Sequence, residues 1–251
     1  MAGMVDHNPT TALIVGASQG IGLEFVRQLL QTDRITRVWA TYRSTQSELL
    51  AIAHPRLRCL PMDITEEAQI VAVVKEIQTE TVALHYVINC VGVLHEGAMQ
   101  PEKSLRQLNA EQLLRYFQVN SIGAVLLAKH IQPLLKHRDR AILATISAKI
   151  GSIGDNYLGG WYGYRASKAA LNMFMRTTAI EYKRTCPRTI VVTLHPGTTD
   201  TRLSRPFQRN VPLEKLFPVE RTIQQLLTVL DQLQESDSGE FFSWDGSRLP
   251  W

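Results

Sequence analysis

The sequence predicts an α/β fold, one domain built on a doubly wound parallel sheet of about seven strands with helices on both faces. Three observations predict it. Short apolar, β-rich runs alternate with longer helical patterns from one end of the chain to the other. Those runs are continuously apolar, which marks strands covered on both faces. No linker, low-complexity tract or change in composition divides the 251 residues, so a single domain spans 1–251, opened by a polar arm over residues 1–10.

In chain order the strand candidates are Ala12–Val15, Arg37–Thr41, Leu57–Pro61, Tyr86–Asn89, Ala141–Ile146, Thr189–Leu194 and Glu240–Trp244. Behind the first, Ile21, Phe25, Leu29 and Leu30 recur at helical spacing and predict an amphipathic helix. Thr45 with Glu48, and Asn109 with Gln112, have capping spacing and predict two later helix starts. Long helices are expected over about Ala110–Lys136 and Trp161–Arg184. The stretch 199–218, rich in Arg, Pro and Phe, lies between a strand and the last helix, where a substrate lid would sit.

Hydrophobic residues at 45% and charged residues at 20% describe a soluble globular chain, long enough to bury its core without a disulfide or metal staple. The net charge of +4 comes from 27 basic and 23 acidic residues scattered along the chain, which excludes the clustered basic face of a nucleic-acid binder. Cys59, Cys90 and Cys186 are far apart and form no CxxC pair, so they read as reduced thiols of a cytoplasmic protein and not as a zinc site. The opening MAGMVDHNPT lacks the apolar core of a secretion signal, and no apolar stretch approaches the length of a membrane span.

The first strand runs into Gly16-Ala17-Ser18-Gln19-Gly20-Ile21-Gly22 and then a helix. Strand, tight glycine turn and helix is the arrangement that brings backbone up to a pyrophosphate at the positive end of a helix dipole, so it predicts a Rossmann-type dinucleotide site. The second strand ends at Arg43 with no acidic residue beside it. A carboxylate there would accept from an adenosine 2′-hydroxyl, whereas a cation attracts a 2′-phosphate, so NADP(H) is expected over NAD(H).

Tyr164 and Lys168 stand four apart at the start of a helical pattern, which puts phenol and ammonium on one helical face. A free phenol titrates near pH 10, so acid–base work at neutral pH asks for about three units of lowering, or about 4 kcal/mol. A nearby ammonium and an oxidised nicotinamide both push that way. Ser147 ends the fifth strand at the carboxyl edge of the sheet, where its hydroxyl can bond a carbonyl oxygen. His195, before a Pro-Gly turn, reads as structural.

The spacing G-x-x-x-G-x-G, with Tyr164-Arg-Ala-Ser-Lys168 downstream, resembles the short-chain dehydrogenase/reductase family. The resemblance runs from about Thr11 to Gly246, and Leu158–Lys168 and Trp244–Trp251 are similar to its C-factor-like branch. It implies Asp63 and Ile64 as the adenine contact, and Asn89 with Gly92 as the partial counterpart of an Asn-Asn-Ala-Gly turn. It also implies Asn120 as the residue that holds a relay water, and Pro196-Gly197 with Thr199 and Thr201 at the nicotinamide. Many NADP-using relatives carry a base where this chain has Gln19. Ser147 precedes the tyrosine by 17 residues, more than is usual, so 154–163 is expected to be a longer loop beside the site.

The implied activity is an NADPH-dependent carbonyl reductase, reversible as an alcohol dehydrogenase, with Tyr164 as acid/base, Ser147 orienting the oxygen, and Lys168 holding the ribose. A small carbonyl or alcohol substrate is expected, with pocket walls from 93–105, 154–163 and 199–218; Leu94, Trp161 and Phe207 give it an apolar character. The rival is an NADP(H)-binding regulatory protein with little turnover. A nucleotide-sugar epimerase would need a larger carboxyl-terminal part. Leu113, Leu114, Phe117, Ile122, Val125, Leu126 and Leu127 carry more apolar surface than one sheet face covers, and the family's helix packing implies a homodimer or homotetramer.

Overall fold

The computed structural model describes residues 10–45 and 47–251, so the polar arm lies outside it except for Thr10, which opens the first strand. Nine strands follow in chain order among the described residues: β1 (Thr10–Val15), β2 (Ile35–Tyr42), β3 (Leu57–Pro61), β4 (Tyr86–Asn89), β5 (Ala141–Ile146), β6 (Thr189–His195), the short β7 (Thr198–Thr199) and β8 (Leu216–Phe217), and β9 (Phe241–Ser243). The helices are α1 (Gly20–Leu30), α2 (Glu67–Glu80), α3 (Ala110–Phe117), α4 (Gly123–Leu135), α5 (Tyr162–Thr185) and α6 (Val219–Gln232). Seven strands form one parallel sheet in the order β3-β2-β1-β4-β5-β6-β9.

The two-residue period of a strand divides the core. In β1, Ala12 and Ile14 face α1 and α6 with Phe25, Leu29, Leu226 and Leu230. Leu13 and Val15 face α2, α4 and α5 with Ile70, Leu127, Ile131 and Leu171. Because β1 is flanked by β2 on one side and β4 on the other, the winding reverses at its carboxyl end, where such sheets open a crevice.

Several boundaries differ from the sequence expectation: β1 opens at Thr10 and β6 runs on to His195. β2 extends to Ile35 and Tyr42, because its outer residues still pair with β1 and β3. β9 is confined to Phe241–Ser243, the residues that reach β6. Thr45 caps nothing among the described residues: the short turn Glu48–Ala51 is capped by Ser47, whose Oγ accepts from the Leu49 N–H at 3.2 Å. Asn109 does cap α3, accepting from Gln112 N–H at 3.1 Å.

The long helix expected over Ala110–Lys136 ends at Leu135, and a wide π turn, Gln118–Ile122, separates α3 from α4. Such turns insert one extra residue and re-aim side chains. Here the turn carries Asn120. The stretch 199–218 is less irregular than expected: β7 and β8 pair in parallel, and two short helical turns, Arg205–Asn210 and Leu213–Lys215, fill the rest. The three cysteines are free, and no helix among the described residues is long and apolar enough to cross a membrane.

Candidate active site

At the crevice, β1 turns into α1 through the three glycines. A Cβ on Gly22 would lie 2.2 Å from the Gly16 carbonyl oxygen, and one on Gly16 would lie 2.7 Å from Val91 Cγ2. Only bare backbone closes this turn. Gln19 is extended ahead of α1, no side chain caps that helix, and its first turn holds no carboxylate. Its positive end is therefore left for an anion. Thr201 closes the far wall, its Cγ2 3.3 Å from where a Cβ of Gly20 would be.

At the ends of β2 and β3, Arg43 Nη2 donates to Glu96 Oε1 at 3.0 Å, and Arg115 Nε donates to Glu96 Oε2 at 3.0 Å, with its Nη2 in an ion pair at the same distance. Burial pushes the Glu96 carboxyl up, but the two guanidiniums outweigh it and hold it below the usual range. Asp63 is likewise pushed up by burial and brought lower overall by hydrogen bonds from Thr65 and by the charges of Arg43 and Arg115. Arg43 is thus one of two cations, and contrary to expectation it does have an acidic neighbour, Glu96, brought in by the loop after β4. Sequence reasoning missed Arg115, which reaches the site from α3.

On the other side, Tyr164 and Lys168 are both buried in the first turns of α5. Lys168 Nζ donates to the Ile146 carbonyl at 3.0 Å and lies 5.8 Å from the Tyr164 ring centroid. Burial lowers the ammonium to about 8, a little opposed by Cys90. Burial also pushes the Tyr164 phenol up, with no cation of the chain offsetting it. Of the two groups expected to acidify the phenol together, an ammonium and an oxidised nicotinamide, the Lys168 ammonium faces the Tyr164 ring and a backbone carbonyl. Gly92 keeps that ammonium clear, since a Cβ there would stand 3.4 Å from it.

Ser147 Oγ donates to Asn172 Oδ1 at 2.7 Å, both side chains being buried. Asn120 makes three of the four hydrogen bonds open to its amide. Its Nδ2 donates to Val93 O and Ser167 Oγ, each at 3.0 Å, and its Oδ1 accepts from Val93 N–H at 2.7 Å. It thereby ties the loop after β4 to α5. Asn89 Oδ1 accepts from the Val91 N–H, and Thr199 spends its hydroxyl on Pro196 O and Thr222 Oγ1, turning toward α6. His195 is held neutral, lowered to about 4 chiefly by burial and also by Lys149.

The longer loop before α5 has a specific build. Gly159, Gly160 and Trp161 take φ values of +64°, +67° and +52°, three left-handed residues in a row, the last bearing a side chain. Glycine meets that conformation freely, but tryptophan needs outside support. Glu102 supplies it, its carbonyl accepting from Trp161 N–H at 2.5 Å and its buried carboxylate from Gly163 N–H at 3.1 Å and Gln112 Nε2 at 3.0 Å. Arg165 adds bonds to the carbonyls of Gly160 and Gly159, at 3.0 and 3.1 Å. No local pattern marks Glu102 in the sequence, because its partners come from α3 and α5.

So held, the Trp161 ring stands edge-on to Tyr164 at 6.3 Å and to Phe207 at 4.9 Å between centroids. Phe207 and Leu203, from the stretch expected as a lid, join Val93, Leu94, Tyr116 and Tyr164 in one apolar cluster.

Residues 10–212 match the family described as short chain dehydrogenase. An NADPH-bound carbonyl reductase from chicken fatty liver superposes with a TM-score of 0.85 at 29% identity, covering 97% of this chain and 100% of that one. The carbonyl reductase Sniffer of D. melanogaster gives 0.84 at 25% identity, with 97% and 100% covered. C-signal of Myxococcus xanthus is 30% identical over 149 residues, 59% of this chain and 84% of that protein. The chain belongs to the short-chain dehydrogenase family, on its C-factor-like branch.

Proposed function

We propose that the protein is an NADP(H)-dependent carbonyl reductase, reversible as an alcohol dehydrogenase. The observation that carries the reading is that the Lys168 ammonium reaches both the Tyr164 ring and the strand end at Ile146, next to Ser147, in a crevice whose glycine turn leaves its helix end uncapped. When bound, the nicotinamide supplies or takes the hydride. Gly16, Ser18, Gln19, Gly20, Ile21 and Gly22 would hold its pyrophosphate. Asp63 and Ile64 would flank the adenine, and Asn89, Gly92, Pro196, Gly197 and Thr201 the nicotinamide end, with Thr199 contributing backbone only.

Tyr164 holds the proton that a carbonyl oxygen takes in reduction and receives it back in oxidation. Ser147 orients that oxygen, and Lys168 anchors the ribose. Asn120, in its π turn, braces the loop after β4 and places the relay between Lys168 and water. The apolar cluster of Trp161, Phe207, Leu203 and Leu94 excludes water and suits an apolar substrate. The exposed Leu114 and Ile122 near α3 and α4, with Met173 and Ile180 of α5, would meet a second copy. The function is tested by NADPH absorbance against a panel of aldehydes, ketones and quinones; no turnover with any of them overturns it.

Arg43 and Arg115 would hold a 2′-phosphate by exchanging the Glu96 carboxylate, which both now bind, for the phosphate oxygens. Arg115→Gln is expected to weaken NADPH binding about tenfold and NADH binding hardly at all, since charge-assisted bonds to phosphate are the strong ones. Fluorescence titration of both cofactors checks it.

Lys168 gives a pH dependence. Its folded value, about 8, lies below the ordinary 10.5, so the ammonium is lost as pH rises through about 8. NADPH affinity is expected to fall above that pH, by up to about tenfold per unit. In Lys168→Met the dependence disappears, which binding titrations across the range would register.

A further inference from the structure

Tyr164, Lys168 and Asn172 follow one another at intervals of four along α5, so all three address one face. Asn172 is 2% exposed and Ser147 3%. The Ser147 hydroxyl donates to Asn172 Oδ1 at 2.7 Å, while Asn172 Nδ2 is buried with no partner among the described residues. The direction of this bond decides what Ser147 can do. A serine hydroxyl has one proton, and a proton given to Asn172 cannot also be given to a carbonyl oxygen.

Turning the amide about its Cβ–Cγ bond exchanges the two groups. Nδ2 then donates to Ser147 Oγ, and the serine proton is released toward the crevice. Either orientation leaves one buried amide atom unpaired, so the pair is balanced and not locked. We infer that Asn172 is a positioning residue for Ser147, its amide setting which way the serine's hydrogen bond runs and thereby whether its proton is offered to substrate. This rests on the reading of Ser147 as the donor to the carbonyl oxygen.

The test is a double-mutant cycle with NADPH and para-nitrobenzaldehyde as the carbonyl probe, together with NADPH dissociation constants and melting curves. Ser147→Ala is expected to lower kcat about hundredfold, as for loss of a donor to a developing oxyanion. Asn172→Asp, which at neutral pH only accepts and so keeps the serine proton, and Asn172→Leu, which removes both groups, are each expected to lower kcat about tenfold. In the Ser147→Ala background neither substitution is expected to lower it further, because both act through the absent hydroxyl. NADPH affinity stays within about twofold throughout.

Losses that multiply with Ser147→Ala, or wild-type kcat in both Asn172 variants, overturn the inference alone. Unchanged kcat in Ser147→Ala, or no turnover of the probe by the wild type, overturns the reading of Ser147 and this inference with it. Should Asn172→Leu fail to fold, the near-isosteric Asn172→Asp carries the cycle.

Discussion

Tyr164→Phe is expected to abolish turnover, by at least about a thousandfold, while the protein melts where the wild type does and binds NADPH within about twofold of it. The size follows from what a positioned acid contributes, about a hundred- to ten-thousandfold. The selectivity follows from the structure. Among the described residues the Tyr164 hydroxyl makes no hydrogen bond, so its removal orphans no buried partner. The ring that packs against Tyr116 and Trp161 is retained. A variant that still reduces carbonyl compounds at a tenth of the wild-type rate would remove the phenol from the chemistry.

Gly22→Ala is expected to have the largest effect on cofactor binding, more than about a hundredfold. The added carbon would fall 2.2 Å from the Gly16 carbonyl oxygen and 2.9 Å from its carbonyl carbon, both backbone atoms of the same turn. No rotamer relieves a clash between backbone and Cβ. The turn has to open, carrying the uncapped end of α1 away from its place. Overpacking of this kind costs about 1–3 kcal/mol, so the melting temperature should also fall by several degrees. Titration with NADPH and a thermal melt measure the two parts separately. Wild-type affinity in this variant would show that the glycine turn holds no dinucleotide.

The features legible in the sequence are those encoded within a few residues. β1, β4 and β5 announce themselves as buried apolar runs, the glycine turn by its spacing, and Tyr164 with Lys168 by the helical period. The features that were not legible depend on residues brought together by the sheet. Glu102 lies 61 residues from Gly163, whose amide it accepts. Arg115 meets Arg43 only through Glu96, at a point where the end of β2, the loop after β4 and α3 converge. Asn172 was within reach, since it continues the four-residue interval that begins at Tyr164, but nothing local pairs it with Ser147. How the ammonium meets the phenol was not legible for a related reason. Spacing places an ammonium on the same face as a tyrosine, but it does not say which atom of the tyrosine the ammonium meets.

Trp161 and Tyr164 share the opening turn of α5, and Glu102 fastens that turn from outside. On the proposed reading, the group that would select a molecule by shape and the group that would deliver a proton to it therefore belong to a single rigid body. Reshaping the entrance at Trp161 will disturb the acid along with it. Phe207 hangs from a different stretch of backbone, so a search for altered preference has free play there, and natural divergence in what the enzyme accepts should concentrate on that side of the mouth.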